Sequence, residues 1–327
     1  MILVTGGAGY IGSHVVLNLL EKGETVVVFD DLSKGCIETI NVLKKIGKLI
    51  FIRGSLNNYN EISAVFNNYS IDAVFHFAAF IEVGESVKDP EKYYRNNLLG
   101  GMNLFSAMLK AKVKKIIFSS TAATYGEPKY IPIDEKHPQN PVNAYGDSKL
   151  MLERILKNYD QAYNLKSVIL RYFNVIGADA LGRIGENHQP ESHLVPNLLK
   201  AALFKVPVKL YGNDYPTNDG TCIRDYIDFE DLADAHVLAL KYLNEQKRSI
   251  IFNLGTKNGN SVKEIIGKVE EVVNDQISIK LEQRRAGDPA ILVADNYLVK
   301  KELGWDPKRN LLESIKNAKN WLIKNGS

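Results

Sequence analysis

Cysteine is scarce: Cys36 and Cys222 are the only two among 327 residues. They stand far apart with no CxxC spacing, which excludes a disulfide framework and a zinc ribbon and fits a reducing, cytoplasmic setting. Long apolar runs are missing as well, and none approaches the ~18 residues of a membrane span. An apolar strand that starts at residue 2 leaves no room for a signal peptide, so the Asn68-Tyr69-Ser70 sequon carries no weight. An excess of one charge is also absent: 41 Lys and Arg face 38 Asp and Glu, for a formal net charge of +3. With no basic block or arm, neither nucleic acid nor a membrane surface is an expected partner. The histidines, His14, His76, His137, His188, His193 and His236, show no HxH or HExxH spacing, so no metal is expected. His76 lies within an apolar strand and reads as a core residue. No internal repeat or low-complexity tract is visible.

What is present begins at the amino terminus, Met1-Ile-Leu-Val-Thr-Gly-Gly-Ala-Gly-Tyr-Ile-Gly-Ser-His14. A short apolar strand runs into glycines at 6, 9 and 12, and then into the apolar-periodic segment Tyr10 to Leu20. Such a strand, glycine turn and helix can hold a pyrophosphate, because backbone N–H groups and the positive end of the helix dipole point at it. A second strand, Val26 to Phe29, ends in Asp30-Asp31 about 20 residues on, where a carboxylate accepts hydrogen bonds from an adenosine ribose. An acid there repels a 2′-phosphate, which favours NAD over NADP.

Strand and helix then alternate. Ser33 is placed to cap a helix toward Lys45, followed by the strand Leu49 to Ile52, an amphipathic segment around Glu61 to Phe66, and the strand Ala73 to Phe77. A long helix from Pro90 to Lys110 leads to the strand Lys115 to Ser120, and a helix after Tyr145 leads to the strand Ser167 to Arg171. Repeated βα units of this kind predict an α/β fold, a Rossmann-type doubly wound parallel sheet with ligands at the carboxyl ends of its strands. Past residue 175 the rhythm loosens into Gly-, Asn- and Pro-rich loops. The expected division is a dinucleotide-binding domain over 1–174 and a smaller α/β substrate domain over 175–327, with Val208 to Tyr211 or Ile250 to Leu254 free to return to the main sheet. Leu311 to Ile323 reads as a closing amphipathic helix with Trp321 on its apolar side.

Chemistry is concentrated in Asn143-Ala-Tyr-Gly-Asp-Ser-Lys149. Tyr145 and Lys149 are four apart, so a helix brings both side chains to one small volume. A phenol of pKa about 10 is a poor base at neutral pH; a neighbouring ammonium and the positive nicotinamide ring favour its ionised form. The hydroxyls of Ser119-Ser120-Thr121 end a strand where ligands gather in this class of sheet.

Taken together, the glycine turn, Asp30, His76-Phe-Ala-Ala79, Ser119-Ser-Thr121, Tyr145-xxx-Lys149 and Arg171-Tyr-Phe-Asn174 resemble the extended short-chain dehydrogenase/reductase superfamily. Within it, Gly6 to His14, Val83-Gly-Glu-Ser86, Gly212 to Thr217, Gly220 to Tyr226 and Arg284 to Asp288 are similar to the UDP-glucose 4-epimerase family, nearly end to end. The resemblance implies a UDP-hexose substrate, bound NAD and a homodimer through the Pro90 to Lys110 and Tyr145 helices. It also implies a reaction without net redox change. Tyr145 would take the proton of the hexose 4-hydroxyl as hydride leaves C4 for NAD, and the 4-keto sugar would turn over and take the hydride back on its other face. Lys149 would hold the nicotinamide ribose and Thr121 the reacting oxygen. By the same resemblance Gly6, Gly9, Gly12, Tyr10, Ile11, Asp30, Asp31, Leu32, Ser33, Lys34, Gly35, Ser55, Leu56, Phe77, Ala78, Ala79, Phe80, Ile81, Asn96 and Phe173 form the NAD site. Asn174, His193, Leu194, Lys209, Leu210, Tyr211, Arg224, Arg285, Asp288 and Leu292 would line the UDP-sugar site, where arginines suit a diphosphate.

Three positions depart from the family's common pattern. Ser55 replaces an aspartate that receives the adenine amino group, Ile81 replaces a lysine near the cofactor, and Leu292 replaces a tyrosine that narrows the sugar pocket. The last leaves room for an N-acetyl group at C2, so UDP-N-acetylhexosamines join the expected substrates. The rival readings are another NAD-dependent nucleotide-sugar epimerase, a 4,6-dehydratase, a net oxidoreductase and a non-catalytic NAD-binding sensor. A dehydratase needs an acid and a base directly after the strand-end threonine, where this chain has Ala122 and Ala123. A sensor would lack the tyrosine or the lysine.

Overall fold

The computed structural model describes residues 1–187, 191–285 and 288–325. His188, and Ala286 and Gly287 within the Arg284 to Asp288 motif, lie outside the described residues. The strands in chain order are β1 (Ile2–Thr5), β2 (Val26–Asp30), β3 (Leu49–Arg53), β4 (Ala73–His76), β5 (Lys115–Thr121), β6 (Lys166–Tyr172), β7 (Asn174–Ile176), β8 (Val208–Tyr211), β9 (Ile223–Asp228), β10 (Ile250–Leu254), β11 (Gly259–Ser261), β12 (Ile279–Glu282) and β13 (Ile291–Leu292). Seven of them make one parallel sheet in the order β10-β6-β5-β4-β1-β2-β3. Every residue of β1, β2 and β4 is buried, which is why these strands are apolar runs and not alternating ones: helices cover both faces. After β3 the chain crosses to the other side of β1 to form β4. That reversal of direction opens a crevice over the carboxyl end of β1.

The two faces carry separate cores. One gathers Val4, Val15, Val28, Phe75, Leu170 and Phe252, the other Leu3, Val27, Phe105, Phe118, Leu152 and Leu156. A third core, around Leu198, Leu199, Ile265 and Ile315, lies beneath a sheet of β7, β9, β11 and β13 and the parallel pair β8 and β12. Trp321 packs against this third core. Of the two strands left open by the sequence, β10 joins the main sheet beside β6, whereas β8 pairs with β12 outside it. Burial explains the difference: Phe252 and Leu254 are fully buried, and β8 is only partly covered. The helix Phe229–Gln246 also contributes to the first core, so the chain past residue 175 returns to the dinucleotide half.

Two helices differ from the sequence expectation. Ser33 caps nothing: its N–H donates to Asp31 Oδ1 at 2.8 Å, and the helix starts later, as Ile37–Leu43 behind Cys36. The local turn offered by the Asp31 side chain wins over helix initiation. The Pro90 to Lys110 stretch contains a π-helical turn, Tyr94–Leu99. There Asn97 is buried; its Oδ1 accepts from Phe80 N at 2.8 Å, and its Nδ2 donates to Phe80 O at 3.0 Å and Ser148 Oγ at 3.1 Å. The extra residue in the turn gives Asn96 to the cavity and Asn97 to the interior.

The helix Ala144–Tyr163 is fixed to the sheet by a buried ion pair. Glu153 on the helix and Arg171 on β6 are 3% and 2% exposed and meet at 2.6 Å. Ser120 also donates to Glu153, and Arg171 Nη1 donates to Tyr125 Oη at 2.9 Å. Tyr125 in turn donates to Asn253 Oδ1 on β10 at 2.6 Å. Removing one partner strands the other charge without water. Arg171→Ala is therefore expected to lose roughly 3–5 kcal/mol of stability in urea unfolding, and Arg171→Met with Glu153→Leu much less. A loss from the single variant no larger than that from the double would contradict this.

Candidate active site

The crevice over β1 is floored by the glycine turn. Gly6 sits at φ +74°, and a Cβ on Gly12 would lie 2.2 Å from the Gly6 carbonyl oxygen. No larger residue fits where the helix Tyr10–Glu21 begins, and its open N–H groups face the crevice. Asp30, 8% exposed at the end of β2, accepts Ala8 N at 3.0 Å and Leu32 N at 2.8 Å on its two oxygens. Burial raises its pKa against those two donors. Each oxygen keeps a lone pair for a further donor, as a ribose hydroxyl would supply. The turn and this acid together fit a dinucleotide.

The catalytic candidates come from three elements. Asn143 caps the helix Ala144–Tyr163 by accepting Gly146 N at 2.9 Å. A Cβ on Gly146 would sit 2.5 Å from the Ala123 carbonyl oxygen, so the helix start lies directly on the turn after β5. This brings Tyr145 against Thr121. The Ala123 N–H donates to Thr121 Oγ1 at 3.1 Å, and the Thr121 hydroxyl is near enough to the Tyr145 phenol to favour its ionised form. Lys149, one turn further and 2% exposed, donates to the Ser119 carbonyl at 2.8 Å.

Electrostatics here differ from the sequence expectation. Burial pushes the Tyr145 phenol up to about 12, and only the Thr121 hydrogen bond opposes it. Burial likewise draws Lys149 down to about 7, against the pull of the Glu153 carboxylate. The ammonium alone does not make Tyr145 a base. His76, bonded to Thr5 Oγ1 at 2.8 Å and drawn down to about 3 by burial, is a neutral core residue.

At the far end, Arg224 is 7% exposed and pairs with Asp288. The Arg285 guanidinium lies 4.1 Å from the Tyr211 ring centroid. Arg284, beside it in sequence, bonds Asp214 at 2.6 Å and covers the Tyr215 ring. Against the pull of burial, the carboxylates of Glu186 and Glu191 push His193 up to about 10; its Nδ1 lies 2.6 Å from Glu186 and 3.2 Å from Glu191.

One cavity of about 1470 Å³ joins both ends, larger than a typical single-ligand pocket of ~300–1,000 Å³. Every site residue expected from the sequence lines it except Leu32. Leu32 has φ +63° and packs into the first core, so it contributes its backbone N–H to Asp30 and no side chain to the cavity. Ser55 lines the cavity, but its Oγ accepts Asn57 N at 3.4 Å and its N–H meets Glu61 at 2.8 Å. Sequence reasoning gave no role to Tyr172, Glu82, Tyr226, Cys222, Glu186 or Glu191, which also line it. Tyr172 was legible as the neighbour of Arg171 on a strand whose side chains alternate; its hydroxyl bonds Ser119.

Comparison with known proteins agrees with this geometry. The chain is 49% identical to the UDP-glucose 4-epimerase of Halalkalibacterium halodurans over 98% of its length and 95% of that protein. It is 48% identical to that of Lacticaseibacillus casei, over 98% and 96%. The crystal structure of UDP-glucose 4-epimerase from Bifidobacterium longum in complex with NAD+ and UDP superposes with a TM-score of 0.96 at 38% identity, covering 99% of this chain and 98% of that one. The model of the NAD dependent epimerase/dehydratase family matches residues 2–255, and the chain belongs to that family.

Proposed function

We propose that the chain interconverts UDP-galactose and UDP-glucose by transient oxidation at C4 of the hexose, with NAD retained throughout. The observation that carries this is the single cavity with Tyr145, Thr121 and Lys149 between the glycine turn and the Tyr211, Arg224 and Arg285 end. Bound NAD would supply the hydride acceptor and donor for C4. Tyr145 takes the 4-hydroxyl proton and gives it back, Thr121 bonds the reacting oxygen, and Lys149 holds the adjoining ribose. Lowering a phenol from about 12 toward neutrality requires roughly 7 kcal/mol at 1.36 kcal/mol per unit. One unit charge about 4 Å away supplies ~4 kcal/mol at an effective dielectric near 20. Lys149 is already in place at that value, so the further positive charge would have to come from the oxidised dinucleotide.

At the other end, β8 pairs with β12 along one edge and has no other strand partner among the described residues. Its Lys209, Leu210 and Tyr211 line the cavity, so the backbone of that open edge can read a uracil, with Arg224 and Arg285 set for the diphosphate and Asn174, His193, Leu194 and Asp288 around them. Ala122 and Ala123 line the cavity after β5. No acid or base stands there for dehydration. The protein would work in the cytoplasm as a homodimer, in galactose metabolism.

A wider substrate range follows from Leu292. It lines the cavity and packs beside Ala122, Phe173 and Ala294, which leaves an apolar recess able to take an N-acetyl group. The chain would therefore also interconvert the UDP-N-acetylhexosamines.

Purified protein given UDP-galactose without added reductant is expected to form UDP-glucose. Tyr145→Phe should lose at least ~100-fold in kcat, the scale of general acid–base catalysis, while keeping its NAD. Unchanged turnover by a folded, NAD-loaded variant would remove the phenol from the mechanism. Leu292→Tyr should lower kcat/KM for the N-acetylated sugars at least tenfold more than for UDP-galactose; equal losses would contradict the assigned recess.

A further inference from the structure

The cofactor crevice is bridged at its mouth. Lys34 Nζ donates to Glu82 Oε1 at 2.8 Å, with side chains 33% and 23% exposed. The two residues come from opposite walls. Lys34 follows β2 and Glu82 follows β4, the two strands that flank β1 and its glycine turn. Both line the cavity. Among the described residues this is the only hydrogen bond or ion pair joining residues 31–36 to residues 77–82.

Each wall is held from behind. Cys36 N donates to the Ala8 carbonyl at 3.1 Å, and a Cβ on Gly35 would lie 2.7 Å from that of Ala8, so the segment that carries Lys34 is pressed against the turn. On the other side, the hydroxyl of Tyr93 donates to the Glu82 carbonyl at 2.8 Å, and Asn97 holds Phe80 on both its N–H and its C=O. Two fixed backbones thus face each other across a gap spanned by side chains alone. A half-exposed pair of this kind adds little to folding stability, ~0–1 kcal/mol. Its position gives it another use.

We propose that Lys34 and Glu82 form a clasp that closes the crevice over the bound dinucleotide and slows its release, with Glu82 as necessary as Lys34. The proposal rests on a dinucleotide lying in this crevice and is independent of which sugar the enzyme takes. A lysine at this place could instead act by touching a phosphate directly, and the two roles separate experimentally. If Lys34 served only the phosphate, Glu82 would compete for it, and removing Glu82 would tighten the hold.

The test uses holoenzyme loaded with radiolabelled NAD and chased with unlabelled NAD, and reads the rate of label loss. Lys34→Ala and Glu82→Ala should each speed release about threefold to fivefold, matching the strength of such a pair. The double variant should release no faster than either single one, and Lys34→Glu combined with Glu82→Lys should restore slow release. Added salt should speed release from the wild type more than from the single variants. Unchanged or slower release from Glu82→Ala, additive effects in the double variant, or no restoration by the exchanged pair would overturn the clasp.

Discussion

The site depends on a carboxylate and a guanidinium that meet out of water beneath the helix Ala144–Tyr163. Tyr145, Lys149 and Glu153 follow one another at intervals of four, so they share one helical face. That face is turned into the sheet, where Tyr145, Lys149 and Glu153 are at most 9% exposed. Glu153 is the deep anchor: Arg171 holds it from β6 and Ser120 from β5. With the third of these residues fixed, the first two have no freedom to slide along the crevice. The same contacts explain why β5 ends in hydroxyls. The Ser119 hydroxyl bonds that of Tyr172, Ser120 serves Glu153, and Thr121 lies beside Tyr145.

Burial that gives precision also imposes an electrostatic cost. It discourages ionisation of the phenol and of the ammonium alike, so the protein alone holds a nearly neutral Tyr145 and a weakened Lys149. On the proposed function, Tyr145 would be a base that awaits a cationic cofactor, which suits an enzyme that must not deprotonate sugars before it can oxidise them. Oxidation and proton removal would thereby be coupled through charge, with no moving part required. The far end of the cavity follows a different rule. There Arg224 is prepaired with Asp288 and Arg285 rests on an aromatic ring, so in the proposed function the cations would be positioned before any diphosphate arrives.

Much of this was legible in the residues. Buried parallel strands announce themselves as apolar runs, glycines mark where backbone passes backbone, and a period of four puts the phenol and ammonium together. Contacts between distant segments were not legible by these rules. Nothing local tells that Glu153 reaches Arg171, that Lys34 reaches Glu82, or that Ile250 to Leu254 rather than Val208 to Tyr211 extends the main sheet. Leu32 shows the same limit at one residue: its neighbours face the cavity, but its left-handed backbone turns its side chain into the core. The π-helical turn at Tyr94–Leu99 is set by the packing of Asn97, which the helical periodicity of the stretch conceals.

The most direct measurement is the ionisation of Tyr145 itself, read as the tyrosinate absorbance that disappears in Tyr145→Phe, compared between NAD-loaded and NAD-stripped protein. The stripped protein is expected to titrate near 12, and the loaded protein several units lower. The same value in both states would contradict the claim that the cofactor's charge completes the base.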